Sequence, residues 1–468
     1  MKTCIANGTI VTDEAEFVGD ILIDGETIAA VGKGLSSLAD QVVDATGMFV
    51  LPGGVDEHTH YGSFGGLLFD TTAAAAVGGT TTIVDFAPQA RGETLADAVE
   101  KHARLAKGVC CVDYAFHSMV MDAAADLPAQ IAQLPRHGVS AVKIFMAYKG
   151  TPYYMEDEKL IEAMMAARNT GVTMMVHAEN PDIITVETRL LLAEGRTDPI
   201  NHYFARPPIA EAEGTRHAIR LAKFADCPLM VMHVTVKEAM EAVRDAFDQG
   251  QPVFGETCTH YLTLDTSYLA KPNFEGAKYV CSPPLRPKEH GKALWEAVAK
   301  GWLTAVSSDH CAVAGGFAAK KRGMGDFSKI PNGCPGVQER MGMLWAQGVM
   351  KGRISRQKFV ELTATAPARN VGLEKKGQLT PGFDADIVLY DPSYQGTFTV
   401  ADSLAGLDYI AYEGFPMAGR PDKVFLRGRL IAEKGRYVAP AGLGVRLRAK
   451  PYARAYEAFS PHAEEYTF

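Results

Sequence analysis

His58-Thr59-His60 sets two imidazoles two residues apart, just past the apolar run 48–55. Side chains alternate between the faces of a strand, so residues i and i+2 point the same way and both rings can converge on one metal ion. The triplet alone says little, because two histidines this close occur in many chains. Further residues of ligand or proton-transfer type follow at the ends of other apolar runs. His177 closes VTMMVH, His233 closes PLMVMH, Asp309 stands in SSDH, and Lys143 sits inside VKIFMAY. Imidazoles and a carboxylate suit zinc and other borderline divalent ions, whereas a cysteine-rich set would suggest a closed structural site.

Lys143 is the odd member. An ammonium cannot ligate a cation, and a lysine buried inside a barrel is costly unless it is neutralised or modified. Two readings stand. Its ammonium pairs with a carboxylate at the mouth of the fold, or its neutral amine has captured carbon dioxide, and the resulting carbamate supplies two oxygens able to bridge two metals.

These residues need a scaffold that brings distant strand ends to one place. Between residues 48 and 310, short apolar runs alternate with longer amphipathic or Ala-rich segments, which is the rhythm of repeated β-α units. The pattern predicts strands at 49–55, 80–86, 112–119, 141–147, 173–177, 229–233, 253–257 and 303–308. Helices are predicted at 95–107, 157–170, 211–224, 237–249 and 288–299. Near-continuous hydrophobicity in the strands fits a parallel sheet covered on both faces. Eight such units predict an α/β fold of the (β/α)8, TIM-like barrel type. Catalytic residues of such barrels come from the C-terminal ends of several strands. His58 and His60 follow the first strand, Lys143 lies in the fourth, His177 and His233 end the fifth and sixth, and Asp309 closes the eighth, so all six face one mouth.

The flanks read differently. Residues 1–47 carry short alternating segments with turns at Asn7-Gly8 and Asp24-Gly25, and the same character returns over 377–438 with Pro381-Gly382 and Arg427-Gly428. The expected organisation is a small composite β-sandwich domain from 1–50 and 375–440, a barrel over 51–374, and a C-terminal arm over 441–468. The arm has few aliphatic residues and suits an extended segment lying on a neighbouring subunit.

The chain has 468 residues, 47% apolar and 22% charged, the composition of a soluble globular protein large enough for a barrel and an accessory domain. A net charge of -8 argues against a nucleic-acid footprint, and the one compact basic run, Lys320-Lys321-Arg322, reads as solvated surface. The N-terminus turns polar at Asn7-Gly8 before any long apolar region, and no stretch approaches eighteen apolar residues, so no signal peptide and no membrane span are expected. A cytoplasmic protein is the expectation. Eight cysteines without CxxC spacing read as reduced thiols, mostly buried. The other nine histidines fall mostly in predicted helices, loops or the tail and read as surface or supporting residues. His260 and His310 lie nearest to strand ends and could support the ligands.

The runs VLPGGVDEHTHYGSFGG, AAAAVGGTTTIVDFAPQ, VKIFMAYKG, VHAEN, MHVT, GETCTHYL, CSPPLRP, SSDHC and PNGCPG resemble the amidohydrolase superfamily, and within it the dihydropyrimidinase and D-hydantoinase (phenylhydantoinase) branch. The resemblance covers nearly the whole chain, including GQLTPGFDADIVLYDP. It implies that His58, His60 and Asp309 hold the more buried of two divalent metals, most readily Zn2+. His177 and His233 would hold the second, and Lys143 would bridge them as N6-carboxylysine, made with CO2 or bicarbonate. It also implies Tyr148 and Ser282 at the substrate, Asn332 offering backbone contacts, and a homotetramer, with a homodimer as the alternative.

The implied reaction is hydrolytic ring opening of 5,6-dihydropyrimidines and 5-substituted hydantoins to N-carbamoyl amino acids. A hydroxide between the metals would attack the ring carbonyl, Tyr148 would donate to the oxyanion, and Asp309 would serve as general base and then acid. HTHYG carries no Arg to hold a substrate carboxylate, which sets a dihydroorotase-like enzyme behind, as SPPLRP does allantoinase. A non-catalytic relative acting as a scaffold is the rival from another class, and the intact set of six ligand positions speaks against it. The loop 61–69 and Pro152-Tyr153-Tyr154 are candidates to line a pocket for the exocyclic substituent.

Overall fold

A computed structural model describes residues 1–124 and 126–457. The chain opens with β1 (Lys2–Val11), β2 (Glu16–Asp24), β3 (Thr27–Gly32), β4 (Gln41–Asp44) and β5 (Phe49–Pro52). β1 pairs antiparallel with β2 and takes β4 and β5 as parallel neighbours. The tight β2–β3 turn uses Gly25 at φ +63°, a left-handed conformation that glycine adopts without a Cβ penalty.

The barrel follows as β6 (Gly54–Thr59), β7 (Thr80–Pro88), β8 (Asp113–Met119), β9 (Ala141–Phe145), β10 (Thr173–His177), β11 (Leu229–Val231), β12 (Val253–Cys258) and β13 (Ala305–Ser307). The strands are parallel and neighbour one another in chain order. The ring closes where Thr59 bridges His310 and the His60 N–H donates to the His310 carbonyl at 2.8 Å. Helices Leu95–Ala106, Asp157–Thr170, Pro208–Phe224, Lys237–Asp248 and Lys288–Lys300 lie close to their predicted positions. Among the described residues no helix is long and apolar enough to cross a membrane. All eight cysteines are buried free thiols.

The chain then returns through β14 (Ile387–Thr397), β15 (Pro416–Leu426), β16 (Arg429–Glu433) and β17 (Arg436–Tyr437). β14 pairs antiparallel with β5, so both flanks build one nine-stranded sheet that closes around its own core, with Ile5, Ile21, Val50, Ile387 and Phe425 inside.

The predicted strand 49–55 is in fact two. Phe49–Pro52 belongs to the composite sheet and Gly54–Thr59 to the barrel. Gly53 is the crossing point: a Cβ there would lie 2.2 Å from the Thr81 hydroxyl, so only glycine lets the chain pass. Within its described part the C-terminal arm runs under the floor of its own barrel, with Leu447 N–H on the Tyr114 carbonyl (2.7 Å), Ala449 N–H on Gly138 (2.9 Å) and Tyr452 N–H on Gly171 (2.8 Å). Few aliphatic residues are needed because the segment is held by main-chain hydrogen bonds at the starts of the barrel units. Residues 458–468 of that arm lie outside the described residues.

Sheet, barrel and tail meet at one buried cation. Lys376 Nζ lies 2.6 Å from Asp113 at the start of β8 and 2.9 Å from both Asp384 and Asp386. Asp113 also accepts from Arg427 and, at 2.8 Å, from the Val445 N–H of the tail. Removing one partner of such a cluster strands uncompensated charge. Lys376→Met is expected to destabilise the protein by about 3–5 kcal/mol, read from chemical denaturation; a loss below about 1 kcal/mol would show that the cluster is not a clamp.

Candidate metal and substrate site

The six predicted ligand positions come together at the C-terminal mouth, buried. His58 Nε2 and His60 Nε2 are 3.2 Å apart, and Asp309 Oδ1 is 3.2 Å from each. Lys143 Nζ lies 3.0 Å from His58 Nε2. On the other side of the lysine the His177 and His233 rings have centroids 4.6 Å apart, and His233 lies 5.4 Å from His58. Chain direction changes abruptly here. Asp309 (φ +46°), His233 (φ +38°) and Tyr148 (φ +67°) are non-glycine residues in the left-handed region. Each such conformation costs on the order of 1 kcal/mol, and outliers of this kind gather at functional sites.

The donor atoms are prepared for a cation. Glu256 on β12 accepts from His58 Nδ1 and from the Ser307 hydroxyl, and at 3.3 Å from the His233 N–H. With its proton on Nδ1, His58 directs the Nε2 lone pair into the cluster. Burial holds His58 down to about 3 and His60 to about 4, so both imidazoles are neutral near pH 7. Burial also pulls the Lys143 ammonium down, favouring the neutral amine. Two neutral imidazole nitrogens and a carboxylate oxygen at mutual distances of 3.2 Å form a set that a divalent ion satisfies. A second triad, Cys258, His260 and Asp309, lies behind it and shares the same carboxylate.

Outer supports surround these ligands. Asp85 accepts from the Thr59 hydroxyl (2.7 Å), the Tyr61 N–H (2.7 Å) and His102 (2.9 Å), fixing the segment around His58 and His60. His177 Nε2 lies 2.7 Å from Glu179, which takes the Arg206 guanidinium at 2.5 Å. Arg206 in turn packs 5.1 Å over the Tyr148 ring, and its carbonyl accepts from Arg286. Arg286 reaches Glu211 at 2.9 Å, and Glu211 accepts from the Thr235 N–H at 2.7 Å, two residues past His233. A buried chain of two ion pairs, joined through the Arg206 carbonyl, therefore links the exits of β10 and β11.

Sequence reasoning singled out none of Glu179, Glu211, Arg206, Arg286 or Glu256. Glu179 carried a usable signal, since it follows His177 by two residues inside VHAEN, and Glu256 stands one turn of the alternation before Cys258 in GETCTH. The arginines had none, because their partners are distant in sequence. The histidines also need correcting: His102, His117, His202, His260, His290 and His310 are all buried. His117 lies within β8, facing the Glu57 carbonyl at 3.1 Å, because the barrel interior has room for an imidazole whose N–H finds a main-chain acceptor.

A cavity of about 170 Å³ opens onto the ligands. Tyr148, Ser282 and Asn332 line it together, with Phe64, Phe145 and Tyr153 forming an aromatic side. The other residues of the 61–69 loop divide: Tyr61 and Phe69 stack in the core with centroids 5.5 Å apart. The Tyr148 hydroxyl lies beside Ser282 on this wall, and burial raises its phenol to about 12, keeping it a proton donor. His202 reaches the Ser282 hydroxyl at 3.2 Å. Asn332 lines the cavity, and among the described residues its buried side-chain oxygen has no hydrogen-bond partner.

Residues 49–431 match the sequence profile of the Amidohydrolase family. A D-hydantoinase of Streptomyces coelicolor is 44% identical over 456 residues, 95% of this chain and 97% of that protein. A D-hydantoinase of Geobacillus stearothermophilus is 41% identical over 461 residues, 97% of each. The crystal structure of the dihydropyrimidinase from Brevibacillus agri superposes with a TM-score of 0.93 at 42% identity, covering 97% of this chain and all of that one.

Burial holds His117, His202 and His310 down to about 3 and His260 to about 4. In the unfolded chain these imidazoles titrate near pH 6.5, so acid favours unfolding. Their contribution is complete above about pH 6.5 and is lost progressively as pH falls toward the folded values, each at up to about 1.4 kcal/mol per pH unit. Metal-free protein is therefore expected to show a steep fall in its urea midpoint between about pH 6.5 and 5; a flat profile would mean that these imidazoles are not held neutral.

Proposed function

The chain belongs to the amidohydrolase family, and from that membership and the arrangement of its barrel mouth we propose that it hydrolyses a ring amide bond of cyclic ureides. Its substrates are 5-substituted hydantoins and 5,6-dihydropyrimidines, and its products N-carbamoyl amino acids. The observation that carries the reading is the convergence of a complete ligand set with Tyr148, Ser282 and Asn332 on one cavity, in a chain similar end to end to proteins named D-hydantoinase.

Divalent metal is part of the reading. His58, His60 and Asp309 would hold one ion, His177 and His233 the other, with Lys143 between them as a carbamate. Burial disfavours the Lys143 ammonium, the neutral amine is the form that adds carbon dioxide, and the carbamate would place an anionic bridge between the ions. Zn2+ suits this donor set best. Bound there, the pair would lower the pKa of a water toward neutrality and polarise the ring carbonyl.

The remaining roles fall to the side chains. Tyr148, kept protonated, donates to the carbonyl oxygen as it gains negative charge, held in place by the Arg206 guanidinium on its ring. Asp309, facing both ligands and cavity, takes a proton from the attacking water and passes it to the departing ring nitrogen. Asn332 offers an acceptor to a ring N–H. The aromatic side at Phe64, Phe145 and Tyr153 excludes water and receives an apolar 5-substituent.

Turnover of hydantoin, a 5-aryl hydantoin, dihydrouracil, allantoin and dihydroorotate, measured side by side, is expected to favour the first three over dihydroorotate at least tenfold. Activity on dihydroorotate alone would sink the assignment. Tyr148→Phe is expected to lower kcat about 10²–10³-fold with little change in KM, the loss typical of one oxyanion donor. Lys143→Ala is expected to bind well under one equivalent of metal by elemental analysis. Two retained equivalents would show that the lysine does not bridge.

A further inference from the structure

Cys281, Ser282 and residues 331–333 form one wall of the cavity, and two ties join the segments 280–283 and 331–334. The Gly333 N–H donates to the Val280 carbonyl at 3.0 Å. The fully buried Lys320 ammonium donates to the carbonyls of Val280 (3.0 Å), Pro331 (2.7 Å) and Gly333 (2.7 Å). Cys281 and Cys334 neighbour each other across the same gap, their thiols donating to the Pro283 (3.4 Å) and Lys278 (3.6 Å) carbonyls. Lys320 thus proves to be a buried tie, where the sequence suggested solvated surface, because the tripeptide sits where three carbonyls converge.

No carboxylate among the described residues pairs with Lys320. The acidic groups that face it are the thiols of Cys334, Cys311 and Cys281. A buried ammonium held only by carbonyl dipoles favours an anion beside it, and a lysine beside a cysteine favours the thiolate, the nucleophilic form. The thiol of Cys334 is drawn down by the neighbouring Cys281; burial opposes this and the Lys320 charge adds to the lowering. Cys281 lines the cavity, as does Gly333 next to Cys334, so the pair lies directly behind the substrate side of this wall. The proposed hydrolysis uses neither thiol.

We propose that Cys334 and Cys281 form a modification site at which an oxidant of the peroxide class closes a disulfide, locking the wall that carries Ser282 and Asn332 and stopping turnover reversibly. The Cys334 thiolate attacks one peroxide oxygen; the O–O bond breaks, giving a sulfenic acid and, after proton uptake, water. The Cys281 sulfur then attacks the Cys334 sulfur, the S–S bond forms, the S–O bond breaks, and the departing hydroxide takes the Cys281 proton as a second water. Two thiols lose two electrons and hydrogen peroxide gains them. The loss of turnover rests on the proposed hydrolase reading; the chemistry at sulfur does not.

The test uses the intact, metal-loaded enzyme treated with hydrogen peroxide, alkylated, and digested with trypsin without reduction. A cross-link between peptides 279–288 and 330–340 is expected, with turnover of a hydantoin falling at least tenfold and returning on addition of dithiothreitol. Cys334→Ser is expected to keep its activity in peroxide and to yield no cross-link. Over-oxidised but unlinked Cys334, a link through Cys311 in peptide 301–320, or a Cys334→Ser enzyme as sensitive as the parent would each overturn the proposal. The cross-link is read by mass, so an enzyme inert toward every cyclic ureide would refute the hydrolase reading and leave this one standing.

Discussion

Glu256 is a fully buried carboxylate on which the geometry of the barrel mouth depends. It accepts from a ring nitrogen of β6, a hydroxyl of β13 and the main chain just past β11, while itself belonging to β12. Four strand exits are thereby referenced to one pair of oxygen atoms. The result is an imidazole whose proton and lone pair have fixed directions, at a place where water is too scarce to do the fixing. Each of the other supports repeats this logic: Asp85 for the segment after β6, Glu179 for His177, Glu211 for the exit of β11. A metal site in a parallel barrel is as much a problem of satisfying the ligands' far sides as of gathering their near sides.

The barrel was legible because its strands are doubly covered and therefore continuously apolar, so that a histidine or lysine inside one stands out. VTMMVH and AVKIF announce both the strand and the residue that does not belong to a core. The supports were largely illegible for the opposite reason. Nothing beside Arg206 in FARPPIA, Arg286 in PPLRP or Glu211 in PIAEA marks an ionic partner, and only folding places Arg286 beside Glu211, 75 positions away. The same holds for Arg340, fully buried near the barrel floor, where it donates to the Val55 and Val306 carbonyls at 3.0 and 3.1 Å. Local pattern could not separate the two halves of 49–55 either, since both are buried and apolar; the distinction lies in what a side chain at Gly53 would strike.

The two ends of the barrel divide the work. Left-handed backbone at Tyr148, His233 and Asp309 and a set of aromatic side chains stand at the mouth, whereas the floor is tied together by the Arg340 fork, the Lys376 cluster and the tail's main-chain hydrogen bonds. Strain is tolerable at the mouth because the floor is over-determined.

The pairing of β5 with β14 has a consequence for biosynthesis. Residues 49–52 leave the ribosome more than 330 positions before their antiparallel partners at 387–390, and the chain must build the entire barrel in between. Throughout that interval the outer edge of β5, carrying Phe49, Val50 and Leu51, presents free main-chain donors and acceptors beside an apolar face, the kind of surface on which nascent chains pair with the wrong neighbour. Completion of the composite sheet is thus a late, post-barrel event, and the period of greatest vulnerability for this protein is its own translation.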